Sequence, residues 1–198
     1  MRLRFKCFPI IGVLIFVGIL SVWYFYPTTS PALYEEGFEQ GLGDWVKDAD
    51  LPLDPNNPGH PVAWNISRVT SLSSSGQYSL ELYIDGRQDD GTIWIEKEIP
   101  AKSDSQIHLS VSFEFYSEQE SFNVIAGVCA YAGISNPMLE EDFVVLDPAN
   151  EVAGWKRYTH EKTLDTGSSG EAWVALGITV KWETEMTYNI DDVKITMN

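Results

Sequence analysis

The chain ends on "YNIDDVKITMN", residues 188 to 198, and its adjacent carboxylates Asp191 and Asp192 are the first candidates for chemistry. Such a pair can hold a cation, share a proton in acid–base catalysis, or accept hydrogen bonds from backbone N–H groups. In a strand, successive side chains point to opposite faces. Val193, Ile195 and Met197 share the parity of Asp191, so alternation puts Asp191 on the core side. Asp192 falls with Lys194 and Thr196, toward water. An unpaired carboxylate on a core face is costly. Either a cation or a backbone turn capped by Asp191 would remove that cost.

Other reactive residues are less ordered. "DGRQDDGTIWIE" sets Asp85 and Glu96 at the first and twelfth positions of an EF-hand loop, but Arg87 and Asp90 occupy the third and sixth. The match fails, because that loop needs a glycine at its sixth position. His60, His108 and His160 have no metal-ligand spacing, which argues against zinc. No nucleophile elbow orders a Ser-His-Asp set. "EEDF" at 140 to 143 reads as a solvated acidic loop. Asn65-Ile66-Ser67 is a glycosylation sequon. Cys7 and Cys129 lie in different regions, so no disulfide is expected, and Cys129 reads as a small buried hydrophobe.

These residues must be positioned by a chain of 198 residues with 13 basic and 29 acidic side chains, a net charge of −16. Arg2, Arg4 and Lys6 precede the first apolar run, which leaves 10 basic and 29 acidic residues beyond it. So acidic a body repels nucleic acid, whose binding depends on neutralising phosphates. It suits an exposed, calcium-binding or salt-adapted domain. Residues 1–6 form a basic n-region, and 7–26 form an uncharged run long enough to span a bilayer. The charge asymmetry predicts a single-pass signal anchor with the body outside the cytoplasm. Cleavage near Ser30-Pro31-Ala32, releasing a secreted body, is the alternative. Residues 27–32 read as a linker.

From residue 33 to 198 the pattern is that of short strands. Leu80, Leu82 and Ile84 alternate, as do Ile93 and Ile95, and then Leu109, Val111, Phe113 and Phe115. Val174, Leu176, Ile178 and Val180 repeat the pattern, while 122–133 is apolar on both faces. "SSSG", "DGRQDDG", "AKSDS", "DPANEVAG" and "DTGSSG" supply turn chemistry between the runs. Short strands at such spacing predict an all-β sandwich of two antiparallel sheets. Residues 47–61, rich in Asp and Pro, read as a surface loop.

Four motifs carry a family resemblance: "GFE" at 37–39 with Trp45 after it, "SSGQYSL" at 74–80, "GW" at 154–155 and "IDDV" at 190–193. In their order and spacing they resemble the carbohydrate-binding modules of the family 4/9 or family 22 type, jelly rolls of the galactose-binding-domain-like group. The resemblance implies a structural calcium where the first and last strands meet. Glu39 and Asp191 would supply carboxylates, and carbonyls at Gly37 and in the turn around Ser74 would complete the shell. It also implies a polysaccharide or other glycan as ligand. Sugar rings stack their C–H faces on aromatics and pair their hydroxyls with polar groups. Tyr83, Trp94, Glu114, Tyr116 and Trp173 lie at outward parities and are the ligand candidates, whereas Trp45 and Trp155 are expected in the core. The function expected is a membrane-anchored, extracytoplasmic, non-catalytic glycan-binding module. The alternatives are a structural or protein-interaction sandwich of the cell envelope and, third, a jelly-roll glycan hydrolase or lyase.

Overall fold

A computed structural model describes residues 32–198. The basic n-region, the expected anchor at 7–26 and all of the linker but Ala32 lie outside the described residues, as does Cys7. Eleven strands follow in order: β1 (Ala32–Glu36), β2 (Val46–Asp50), β3 (Trp64–Val69), β4 (Ser79–Asp85), β5 (Thr92–Pro100), β6 (Gln106–Ser117), β7 (Ala126–Gly133), β8 (Val144–Pro148), β9 (Gly154–Asp165), β10 (Glu171–Val180) and β11 (Glu185–Met197). They form two antiparallel sheets. Sheet A runs β3-β4-β11-β6-β9, with β1 pairing the second half of β11, and sheet B runs β2-β5-β10-β7-β8.

The long strands form where alternation is strongest, and their apolar parity fills the space between the sheets. Leu80, Leu82, Ile84, Ile93, Ile95, Leu109, Val111, Phe113, Phe115, Val174, Leu176, Ile178 and Val180 are all buried in one core cluster, as their parity predicts. Burying each such side chain contributes roughly 1.5–3 kcal/mol. Trp45 joins the core, and Cys129 is a buried free thiol that burial pushes well above its ordinary pKa.

Four elements depart from the sequence reading. Residues 47–61 are not wholly loop, because Lys47–Asp50 belong to edge strand β2, paired along β5 from Val46↔Glu96 to Asp50↔Thr92. Asp-rich strands are poor by propensity and survive at edges, where charge also blocks further pairing. Trp155 is not core. It stands half-buried on the outer face of sheet A, register-paired with Tyr116. Trp94 and Glu96 do have outward parity, yet both are buried, as shown below. Finally, the alternation in β11 breaks. Met186, Tyr188 and Ile190 are core before the break and Val193 and Ile195 after it. The register against β6 shifts between Asp191 and Lys194, and Asp192 has φ 49°. A β-bulge adds one residue and flips parity. Asp191 therefore stands opposite Glu114 on the outer side of the sheet, not on the core side with Val193.

Candidate functional site

The outer face of sheet A is an open surface with mixed aromatic and polar groups. Strand pairing aligns Ser67, Glu81, Asn189, Tyr116 and Trp155 in one row across five strands. Tyr116 and Trp155 are half-buried and pack on each other, with ring centroids 5.4 Å apart and tilted by 56°. A second row holds Asn65, Tyr83 and Thr187. A third holds Asp191, Glu114 and Arg157, where Arg157 Nε donates to Glu114 Oε1 at 2.8 Å. Beyond this row lies a cleft of about 480 Å³ lined by Gly37, Ser75, Arg157 and Asp192 among others. Of the predicted ligand residues, Tyr83, Glu114 and Tyr116 thus share one face, with Trp155 added. Asn65, the sequon residue, is exposed on β3 directly opposite Tyr83.

Trp94 and Trp173 belong to the other sheet. On the outer face of sheet B, Trp94, Tyr131 and Ala175 form a small buried cluster, with Trp173 and Phe143 packed against it. Trp94 Nε1 donates to Glu96 Oε2 at 2.7 Å, and neither side chain reaches solvent to a useful extent, at 0% and 3% exposure. The cover is residues 134–143, between β7 and β8. Phe143 lies on Trp94 with centroids 4.9 Å apart and on Tyr131 at 6.1 Å. Tyr131 OH donates to the Ser135 carbonyl at 2.8 Å. The acidic turn around Glu140, expected to be free in water, is a fastener: Thr92 Oγ1 and Lys181 Nζ donate to its carboxylate at 2.9 and 3.2 Å, and its N–H donates to Asp50 Oδ2 at 3.0 Å.

The residues expected to hold calcium do come together, but their chemistry is that of an anion-binding nest. Asp191 is fully buried, and its Oδ2 accepts from the N–H groups of Ser74 (2.8 Å) and Ser75 (3.2 Å). Its Oδ1 accepts from the N–H of Asp192 at 2.7 Å. Burial pushes the Asp191 carboxyl above the ordinary carboxylate range, and these three N–H groups work against that rise. Glu39 Oε1 accepts from the N–H groups of Gln77 and Tyr78 at 2.9 and 3.0 Å. The turn that was to offer carbonyls to a metal offers Ser74 and Ser75 N–H groups instead. The carbonyls of Phe38 and Glu39, next to Gly37, accept from the guanidinium of Arg68 at 2.6 and 2.7 Å. Calcium takes six to eight oxygens, and the Arg68 guanidinium on two of the neighbouring carbonyls repels a cation there. The donor set around Gly37, Glu39, Ser74 and Asp191 does not fit it, and among the described residues no cluster of three or more His, Cys, Asp or Glu could hold a metal. Arg68 had no sequence signal beyond standing five residues before Ser73. The loop at 85–91 is likewise self-satisfied, since Arg87 pairs with Asp85 and holds its carboxyl below the ordinary range.

No protein-family model and no curated protein matches the sequence. Solved structures do match in shape. A carbohydrate-binding module of the β-sandwich superfamily, described for promiscuous specificity, is similar with a TM-score of 0.54 at 12% identity, over 85% of this chain and 75% of that one. The enzymatically active domain of tailspike protein 4 of bacteriophage CBA120 gives 0.53 at 8% identity, over 82% of this chain and 20% of that one. The K3 cleaved adhesin domain of Lys-gingipain from Porphyromonas gingivalis w83 gives 0.50 at 13% identity, over 84% and 98%. Over most of its length, then, the chain shares the two-sheet fold of β-sandwich carbohydrate-binding modules, as its four motifs implied.

Proposed function

We propose that the protein is a non-catalytic glycan-binding module that takes its ligand on the outer face of sheet A. The observation that carries this is the cross-strand row Glu81–Asn189–Tyr116–Trp155, in which an accessible aromatic pair stands among polar side chains. Tyr116 and Trp155 offer apolar rings to sugar C–H faces, and Glu81 and Arg157 offer an acceptor and donors to hydroxyls. The strands hold these groups at fixed spacing, so little ordering is needed on binding. The acidic body, with 29 carboxylates against 10 basic residues beyond the apolar run, disfavours polyanionic glycans and points to a neutral one.

The uncharged run at 7–26 behind a basic n-region supports a tether that places this face outside the cytoplasm. The module would then hold neutral polysaccharide at the cell surface. The deciding experiment is a glycan array probed with the full chain in detergent. Retention of a neutral oligosaccharide, competed by the same sugar in solution, is the expected result. Retention of no glycan would leave the protein-interaction reading, and release of shortened product would favour a hydrolase or lyase.

A further inference from the structure

We infer that Arg68 clasps the turn after β1 to the turn at 72–78, which itself holds Asp191 of the last strand, in place of a metal ion, so that the domain folds without calcium. The guanidinium donates from Nε to the carbonyl of Phe38 and from Nη2 to that of Glu39, at 2.6 and 2.7 Å. The same group lies over the Tyr78 ring, with Cζ 3.2 Å from the ring centroid. One side chain on β3 therefore joins the turn after β1 to the turn before β4.

The first of those turns is strained. Phe38 has φ 57°, a conformation that bulky L residues rarely adopt, and its side chain is fully buried. Such strain persists only where the surroundings over-determine it. Here Phe38 donates its N–H to Glu36 Oε1 at 2.8 Å and gives its carbonyl to Arg68, so the peptides on both sides are fixed. The last strand joins through Asp191, held by Ser74, Ser75 and Asp192 N–H groups, while Glu39 is held by Gln77 and Tyr78. Three segments far apart in sequence thus meet at one polar knot.

The charge arrangement makes this knot an alternative to a metal. Five N–H groups converge on the two carboxylates, where a divalent cation would need further oxygens. The two nearby carbonyls face a permanent cation that would repel a second one. A planar guanidinium can fork across two carbonyls and stack on an aromatic at once, which an ammonium cannot. Arg68 supplies the positive charge and the bridging geometry, and the turn at 72–78 neutralises the buried carboxylate.

The test melts the full chain in excess calcium and in chelator, and titrates calcium calorimetrically. The expected result is a melting temperature equal within about 1 °C in the two conditions and no saturable site, because a ligand of the folded state would raise it. Arg68→Met lowers the melting temperature by about 10 °C in both conditions, from two lost charge-assisted hydrogen bonds and an emptied stack. Arg68→Lys recovers only part of that loss. A calcium-dependent rise in the wild-type melting temperature, or one calcium site abolished by Asp191→Asn, overturns the inference. So does a wild-type melting temperature for Arg68→Met. Where Arg68→Met fails to fold, Arg68→Lys decides in its place, and full stability of that variant also overturns it.

Discussion

The outer faces of the two sheets are built from the same vocabulary and end in opposite states. Sheet A carries Tyr83, Tyr116 and Trp155 among Glu81, Asn189, Glu114 and Arg157, and these aromatics keep contact with water. Sheet B carries Trp94, Tyr131 and Trp173 with Glu96, and there Trp94 is sealed beneath Phe143. The difference lies in what crosses each face. The connection from β7 to β8 folds back over sheet B and is fastened at Glu140 by Thr92, Lys181 and Asp50. Among the described residues, no equivalent segment is fastened over the Tyr116–Trp155 end of sheet A, although the turn at 72–78 covers Ser79 and Asp191 farther along. Outward parity is thus a condition for ligand contact and not a sufficient one. Cover from a connecting segment decides whether a β-sheet aromatic is a platform or a satellite core.

Three experiments break or sharpen that contrast. The largest effect is expected from Trp155→Ala on the open face. Glycan affinity falls about 30-fold or more, as for other aromatic anchors, while the melting temperature moves by only a few degrees. Calorimetric titration of the retained sugar measures it, and unchanged affinity would remove sheet A as the binding face. The next effect comes from Phe143→Ala on the covered face. It costs about 2 kcal/mol, less than a full core Phe→Ala because Phe143 is only partly buried. Tryptophan emission should shift to longer wavelength as Trp94 meets water, with glycan affinity unaltered. A gain in affinity in this variant would reverse the assignment of the two faces.

The smallest effect separates the scaffold from the face it carries. His160, on the inner side of β9, is held below the ordinary histidine pKa by burial and then by the charge of Lys162, and its Nε2 lies buried without a partner. A folded pKa below the unfolded value means the folded state prefers the neutral ring. Its contribution is therefore full above the ordinary value of 6.5 and is lost as pH falls through the lower folded value. Between pH 7 and pH 5 the wild type should lose about 2 °C of melting temperature relative to His160→Gln. Glycan affinity at Trp155, on the other side of the same strand, should not follow that change.

Much of the scaffold was legible in the sequence. Strands β4, β5, β6, β7, β10 and β11 announce themselves by alternation or by a continuous apolar run, because each has a face to bury; β9 is marked in the sequence by its Gly-Trp start. Strands β1, β2, β3 and β8 do not. They are only five or six residues long and lie at sheet margins or, for β1, beside the end of β11, where pairing from a neighbour outweighs weak or polar composition. "VKDAD" becomes a strand because β5 offers it an edge. The motif positions Glu39, Ser74 and Asp191 were brought together as expected, but the direction in which the 72–78 turn presents its amides was not readable.

The closing aspartates show the boundary most clearly. By itself the sequence determined a two-sheet sandwich of alternating strands with "IDDV" inside the last of them, and its motif resemblance implied that Glu39 and the serine-rich turn meet there. The strands follow from side-chain period and turn chemistry, which are local, whereas the meeting of Glu39, Ser74 and Asp191 was an expectation of the resemblance alone. Only the tertiary structure decided that a bulge at Asp192 resets the parity, that N–H groups satisfy Asp191, and that Arg68 reaches the carbonyls beside it. The last two depend on which groups face one another across 30 residues of chain for Arg68 and Phe38 and 117 for Ser74 and Asp191, and periodicity carries no information about that.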